Sequence, residues 1–95
     1  MKTTDYLKNV NQDFSFNTFG PDDYNKKGFV KIEDITPNQE NLDEKCLKMK
    51  IKGKNLSLPH VLQYKGKNIL IDGHHTVIAK KINGIKKVFC KITIQ

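Results

Sequence analysis

Residues 72–76 carry the side chains best suited to chemistry in this 95-residue chain. The segment reads Asp72-Gly73-His74-His75-Thr76; an apolar run precedes it and a helix-like pattern follows it. A helix that begins here exposes its first backbone N–H groups, which form a natural site for an anion such as phosphate. Two of the three histidines and the only acidic residue of the second half lie within this turn. We expect any chemistry of the protein to occur there.

The carboxylate of Asp72 has two interpretations. It can cap the helix by accepting a hydrogen bond from a backbone N–H one turn along. Alternatively, it can act as a general base or as a ligand of a divalent ion beside the imidazoles. Adjacent histidines point about 100° apart on a helix, which disfavours a site where both bind one ion. The sequence therefore leaves the metal unassigned.

The two imidazoles are expected to differ in role, one facing a bound phosphate and the other being structural. An imidazole with a pKa of about 6.5 can protonate a leaving oxygen or take a proton from water. Thr76 supplies a hydroxyl in the first helical turn, where it can cap the helix or donate to an anion. Gly73 permits backbone angles closed to other residues and lets a ligand approach closely.

Charge is divided unevenly along the chain. Residues 1–45 contain 6 lysines and 9 acidic residues, whereas residues 46–95 contain 11 lysines and one acidic residue. A lysine-dense half attracts polyanions, with nucleic acid ahead of membrane lipid. All 17 basic residues are lysine, which argues against bidentate recognition of bases or phosphates. The alternative is a solvated lysine surface that reflects an AT-rich genome.

Cysteine content and hydropathy restrict the class of protein. Cys46 and Cys90 are too few and too isolated for a disulfide framework or a zinc site, so we expect two buried free thiols. No segment reaches the length of a transmembrane helix, and residues 1–14 lack the apolar core of a signal peptide. These features predict a cytoplasmic protein with no membrane partner; a segment of a longer exported protein is the alternative.

The elements that must position the turn form a small single α+β domain with a mixed sheet and two main helices. Residues 1–28 are predicted to be an arm that packs on the domain through its aromatic residues, and residues 29–95 the domain itself. The predicted elements are a strand at 29–34, a turn at 36–39, a helix at 40–51, a hairpin of strands 58–64 and 68–71, a helix at 75–83 and a strand at 87–94. Apolar spacing predicts that Ile78, Ile82 and Ile85 form the buried stripe of the second helix, and that Ile94 shares the inner face of the last strand. His60, within an apolar strand, is expected to be a buried and hydrogen-bonded histidine rather than a catalytic one.

With these flanks, residues 72–75 resemble the corresponding turn of the ParB/sulfiredoxin-like superfamily. The resemblance is closest to short ParB-like nuclease domains, including those at the C-termini of bacterial polymorphic toxins. The block Val-Lys-Ile-Glu-Asp-Ile-Thr-Pro-Asn-Gln at 30–39 is also similar, as is the Leu-Pro pair at 58–59 before the hairpin. The resemblance covers residues 29–94.

This resemblance implies roles for individual residues. It places Asp72, His74 and His75 as catalytic residues and Gly73, Thr76, Gln39 and Lys80 as residues that bind phosphate or nucleic acid. Thr76 stands where most relatives carry an arginine that grips phosphate, and Lys80, one turn later, can supply part of that charge. His74 replaces the reactive cysteine of sulfiredoxins, so the resemblance predicts no sulfiredoxin activity.

The leading hypothesis from the sequence is a nuclease that cleaves DNA or RNA phosphodiesters as the toxic tip of a bacterial effector. Asp72 and one of the two adjacent histidines would activate water or protonate the leaving oxygen. An acidic immunity protein would neutralise such a toxin. The sequence leaves the cofactor unassigned, with a divalent ion (Mg²⁺ or Mn²⁺) and a nucleoside triphosphate as the candidates. The alternative is a non-catalytic module that binds a nucleotide or nucleic acid, which the missing arginine favours. A third hypothesis is a degenerate domain kept for protein–protein contact.

Overall fold

Five strands and two helices make up the part of the chain that the computed structural model describes, namely residues 24–38, 41–54 and 57–94. The elements are β1 (Lys26–Lys31), β2 (Ile35–Pro37), α1 (Glu44–Ile51), β3 (His60–Tyr64), β4 (Lys67–Asp72), α2 (His74–Ile82) and β5 (Lys87–Ile94), with a 3-10 turn at Ile32–Asp34. This confirms the predicted α+β class with a mixed sheet and two helices. Most of the predicted N-terminal arm, 1–23, lies outside the described residues.

The strands form one sheet in the order β1-β5-β3-β4-β2. β1 pairs with β5 and β3 with β4 in antiparallel fashion, whereas β3 pairs with β5 and β2 with β4 in parallel. The parallel pairing of β2 with β4 places Pro37 opposite Leu70. Both strands therefore end at the same edge of the sheet, and the segment after β2 meets the turn between β4 and α2.

The main core lies between the two helices and one face of the sheet. α1 contributes Leu47 and α2 contributes Val77 and Ile78 to a cluster that includes inward-facing residues of β1, β3, β4 and β5. Burial of this apolar area is the principal driving force for packing the helices on the sheet. On β3, Val61 belongs to this cluster while its neighbour Leu62 belongs to a second buried cluster with Ile69. Successive side chains of a strand face opposite ways, so both faces of the sheet are buried where β3 pairs with β4.

Several predicted boundaries in the first half are wrong, beginning with the first strand, which starts at Lys26, within the predicted arm, rather than at residue 29. The first strand ends at Lys31, and the predicted turn at 36–39 contains the short strand β2 instead. A proline can end such a strand because β2 lies at the edge of the sheet, where a missing N–H is tolerated. Helix α1 begins at Glu44 rather than at residue 40, because the Oδ1 atom of Asp43 caps it by accepting from the backbone N–H groups of Lys45 and Cys46.

The predicted buried stripe of the second helix is also incorrect. Ile78 is fully buried, but Ile82 and Ile85 are each 43% exposed. Helix α2 ends at Ile82, followed by Gly84 in the left-handed region, so the spacing that linked these isoleucines runs past the end of the helix. Cys46 is only half-buried, whereas Cys90 is buried as expected, and both are free thiols.

Strand β5 has the predicted bounds, but the alternation of buried and exposed side chains breaks at its last two residues. Ile94 is 51% exposed, whereas Thr93 is buried. The hydroxyl of Thr93 lies 2.7 Å from Nε2 of the buried His60, which satisfies both polar groups. His60 is therefore the buried, hydrogen-bonded residue that the sequence predicts. No helix within the described ranges is long and apolar enough to span a membrane.

Candidate phosphate-binding turn

Gly73 sets the geometry of the turn between β4 and α2. It is the N-cap residue of α2 and has a left-handed φ of 88°. A Cβ at this position would lie 2.8 Å from the Cα of Pro59, a backbone atom that cannot move aside cheaply. Glycine is therefore required here for two reasons: the left-handed backbone angle, and the close approach of Pro59, which directly precedes β3.

The first turn of α2 presents backbone donors. Its first intrahelical bond runs from the N–H of Val77 to the carbonyl of Gly73, at 3.0 Å, and no side chain caps the helix. The N–H groups of residues 74–76 thus have no intrahelical acceptor, and the positive end of the helix dipole is at this point. This arrangement attracts an anion.

Asp72 does not cap the helix in the manner predicted. Its Oδ1 accepts from the N–H of the next residue, Gly73, at 2.9 Å, rather than from one a turn along. The carboxylate is exposed at the end of β4. It therefore lies at the rim of the turn, with the remaining oxygen available to solvent or to a ligand.

His74 is buried and faces the end of β2. Its Nε2 accepts from the backbone N–H of Asn38 at 2.9 Å, and its side chain is only 4% exposed. Burial lowers its pKa to about 4, the charge of His75 acts in the same direction, and Asp72 opposes both. The ring is neutral near pH 7 and carries its proton on Nδ1, because Nε2 serves as an acceptor.

His75 faces the start of α1. Its Nε2 accepts from the backbone N–H of Asp43, the N-cap residue of that helix, at 2.9 Å. Burial lowers the pKa of His75, the carboxylate of Asp43 raises it, and the ammonium group of Lys50 lowers it. Each of the two adjacent histidines is thus hydrogen-bonded to the backbone of a different segment.

The hydroxyl of Thr76 does not reach solvent. The side chain is 1% exposed, and its Oγ1 has no hydrogen-bond partner among the described residues. Lys80 follows four residues later on the same face of α2. Its side chain is half-buried, and its charge lowers the pKa of the Cys90 thiol, which burial raises more strongly. Lys80 therefore lies towards the core strand β5.

Positive charge close to the turn comes from α1. Lys50 acts electrostatically on His75. Lys45 and Lys50 line an open hollow of about 300 Å³ together with Asp43, Cys46 and Met49. The hollow adjoins the turn through Asp43, whose backbone holds His75. Sequence reasoning alone does not place this lysine pair at the turn, because the packing of the helices brings it there.

The candidate residues are only partly brought together. Asp72, Gly73, His74 and His75 lie at the turn, as contiguous residues must, whereas Gln39 lies outside the described residues. Among the described residues, no group of three or more histidine, cysteine or acidic side chains could hold a metal ion.

Comparison with solved structures identifies the architecture. Sulfiredoxin from Arabidopsis thaliana aligns with a TM-score of 0.64 and 17% identity, over 75% of this chain and 88% of that one. The chain has the ParB/sulfiredoxin-like fold. Protein Atu1540 from Agrobacterium tumefaciens aligns with a TM-score of 0.63 and 22% identity over 74% of this chain, which spans only 39% of the length of Atu1540. No protein-family model matches the chain, and no curated protein matches it.

The ParB/sulfiredoxin-like fold explains why the turn is assembled as it is. A parallel β2–β4 pair brings the segment after β2 to the start of α2, where His74 binds it. The antiparallel β3–β4 pair brings Pro59 against Gly73. The turn is thus built from three chain segments that are distant in sequence.

Proposed function

We propose that this ParB/sulfiredoxin-like domain binds phosphate groups of a nucleotide or a nucleic acid at the start of α2, without cleaving them. The observation that carries the proposal is the open N-terminus of α2 beside Lys50, combined with the hydrogen bonds that occupy Nε2 of both His74 and His75. The backbone N–H groups and the helix dipole supply attraction for an anion. The lysines on α1 add point charges that make this attraction sensitive to salt.

The histidines support binding better than proton transfer. A general acid or base needs a nitrogen within reach of the reacting oxygen and a pKa near the working pH. Both Nε2 atoms accept from backbone N–H groups, and both imidazoles have a lowered pKa. Protonating Nε2 would break a bond that joins α2 to the neighbouring segment. Their role is to hold the turn.

Calorimetric titration with a nucleoside triphosphate and with a short oligonucleotide tests the proposal. His75→Glu keeps an acceptor for the N–H of Asp43 and favours the helix, but puts a carboxylate at the open amides. We expect this variant to remain folded and to lose binding. Lys50→Gln should weaken binding severalfold, while Lys52→Gln, an exposed lysine two residues later, should not. Unchanged affinity in His75→Glu would contradict the proposal.

A nuclease is the second candidate, and the exposed carboxylate of Asp72 favours it. This group lies next to the amides that would bind a phosphate, where it could accept a proton from an attacking water. The protein would then act on DNA or RNA in the cytoplasm of its host or target cell, and an acidic immunity protein would fit its lysine-rich half.

Cleavage assays on single- and double-stranded DNA and RNA, with and without Mg²⁺ or Mn²⁺, separate the two candidates. If the domain is a nuclease, Asp72→Asn abolishes turnover while Asp34→Asn, an exposed aspartate near β1, leaves it unchanged. If it is a binding module, neither the wild type nor either variant cleaves nucleic acid, and all three bind it. Toxicity on expression that is relieved by Asp72→Asn would support the toxin.

The similarity to sulfiredoxin does not lead us to expect cysteine chemistry in this chain. A reactive cysteine needs to be an accessible thiolate. Cys90 is fully buried in β5, and burial raises its pKa to about 11. Cys46 lies on α1, and His74 occupies the turn itself. We therefore assign no thiol chemistry to the phosphate-binding turn.

A further inference from the structure

The outer face of β1 and β5 carries a regular array of side chains. In the antiparallel register, Lys27 lies opposite Lys91, Phe29 opposite Phe89 and Lys31 opposite Lys87. The residues between them, such as Val30 and Val88, point into the core beneath the helices. These six residues, here called the β1–β5 ladder, therefore occupy the sheet face opposite to α1 and α2.

An aromatic pair lies at the centre of the ladder. The rings of Phe29 and Phe89 are in edge contact, with centroids 5.1 Å apart. They are nevertheless 69% and 39% exposed, so much of their apolar surface faces water. Contiguous exposed apolar surface that is rimmed by polar residues marks interaction sites.

The lysines of the ladder are placed at a cost in stability. Like charges directly opposite each other on neighbouring strands repel. Lysine on an edge strand protects against aggregation, which accounts for Lys27 and Lys31 on β1. That explanation fails for Lys87 and Lys91, since β5 is an interior strand between β1 and β3. An anionic ligand would relieve the repulsion between Lys31 and Lys87.

Further groups extend the array at both ends. At one end the ring of Tyr24 lies beneath two ammonium groups, 5.7 Å from Nζ of Lys27 and 5.6 Å from that of Lys91. At the other end Lys31 and Lys87 line an open groove of about 590 Å³. The rest of its lining is Ile32, Glu33, Lys81, Gly84, Ile85 and Lys86, so the groove is basic with an apolar floor.

We propose that the β1–β5 ladder is a binding platform for single-stranded nucleic acid. Two unpaired bases stack on Phe29 and Phe89, and the flanking phosphates contact the lysine pairs on either side. Lys27 and Lys31 are four residues apart on one strand, or about 13 Å, which accommodates a short stretch of backbone. Aromatic rings on a sheet surface with lysines along the path of the backbone are the elements that sequence-tolerant single-strand binding requires.

Other occupants fit the ladder less well. The bases of a duplex are already stacked on one another and cannot reach the two rings. A second copy of this chain would bring four more lysines against the four of the ladder, which opposes self-association. An acidic peptide would neutralise the lysines but would leave the aromatic pair without a specific role. The proposal is independent of the phosphate-binding turn, with which the ladder shares no residue.

Fluorescence anisotropy with a labelled oligothymidylate of about twelve nucleotides, compared with a duplex of equal length, tests the proposal. The double variant Phe29→Ala/Phe89→Ala should weaken single-strand binding by a factor of about 5 to 140 for each base that loses its ring. Phe29→Tyr should retain binding, because the ring face remains, whereas Phe29→Leu should lose it. Ile82→Ala, which removes a partly exposed apolar side chain at the end of α2, is the control.

The lysines are tested by the dependence of affinity on salt. Lys31→Gln/Lys87→Gln should lower the slope of log affinity against log salt by about 1.4, since each phosphate contact contributes about 0.7. Lys52→Gln/Lys54→Gln should leave the slope unchanged. Nucleoside triphosphate binding at the start of α2 should survive the phenylalanine changes, so failure of one site is distinguishable from failure of the other.

Three outcomes would overturn the platform. The first is single-strand affinity that the double phenylalanine change leaves within twofold. The second is equal tolerance of leucine and tyrosine at position 29, which would indicate an apolar protein contact. The third is a dimer in solution that the same double change dissociates. The variants should remain folded, with a melting temperature lowered by a few degrees because the ring contact across the strands is lost, and circular dichroism checks this.

Discussion

His74 should make the stability of the domain depend on pH in a defined direction. Its folded-state pKa is about 4, against 6.5 for the unperturbed group. Above pH 6.5 the ring is neutral in both states, and the bond from the N–H of Asn38 is fully present. As the pH falls below that value, the unfolded chain binds a proton that the folded protein does not. Stability is therefore lost between about pH 6.5 and about pH 4.

The magnitude follows from the two pKa values. Their difference corresponds to about 3 kcal/mol, a large part of the stability of a small domain. Since the side chain of His74 is 4% exposed, solvent screening reduces this figure little. The loss approaches about 1.4 kcal/mol per pH unit in the middle of the range.

Urea denaturation from about pH 7.5 to about pH 4, for wild type and His74→Gln, measures this contribution. Glutamine keeps an oxygen that can accept from the N–H of Asn38 but does not titrate. Carboxylates contribute equally to both proteins, so the difference between the two curves isolates the histidine. We expect the wild type to lose about 3 kcal/mol more than the variant over this range. Parallel curves would refute the assignment of His74 as a buried neutral acceptor.

Three further substitutions, one of them with a matched control, have expected effects on the free energy of unfolding, each measured by chemical denaturation. Gly73→Ala should destabilise by at least about 2 kcal/mol, through its left-handed φ and the contact with Pro59, whereas Gly66→Ala, with a similar φ and no atom within 4 Å, should cost about 1 kcal/mol. Thr76→Val should stabilise by about 1 kcal/mol because it removes a buried hydroxyl that lacks a partner among the described residues; a loss of stability would reveal one. Asp43→Ala should cost about 1 kcal/mol by removing the cap of α1, and a neutral effect would contradict that role.

The fold could be predicted where local pattern and burial agree. Residues 87–94 alternate in hydropathy, and strand β5 has these bounds. The change from an apolar run to a helical pattern at Gly73 located the start of α2 to within one residue. Strand β2 could not be predicted, because three residues that end in proline carry no periodicity and the strand exists only through pairing with β4.

The candidate site could be located from the sequence, but its contacts could not. Asp72 and the two residues after Gly73 were identified by their position before a helix. Their partners were not, because His74 and His75 bind backbone N–H groups 36 and 32 residues away. A backbone donor has no residue type that a sequence could reveal. The same holds for Pro59, whose approach to Gly73 depends on the pairing of β3 with β4.

The divergence of the two adjacent histidines explains their pairing in one turn. Side chains about 100° apart on a helix cannot easily share one metal ion, but they can reach two different neighbours. Here they reach Asn38 at the end of β2 and Asp43 at the start of α1, on either side of residues 39–42. Because both rings act as neutral acceptors, they add no positive charge to the open amides of α2. The attraction of this turn for an anion therefore rests on the helix dipole and on Lys50, while the histidines fix the segments that surround it.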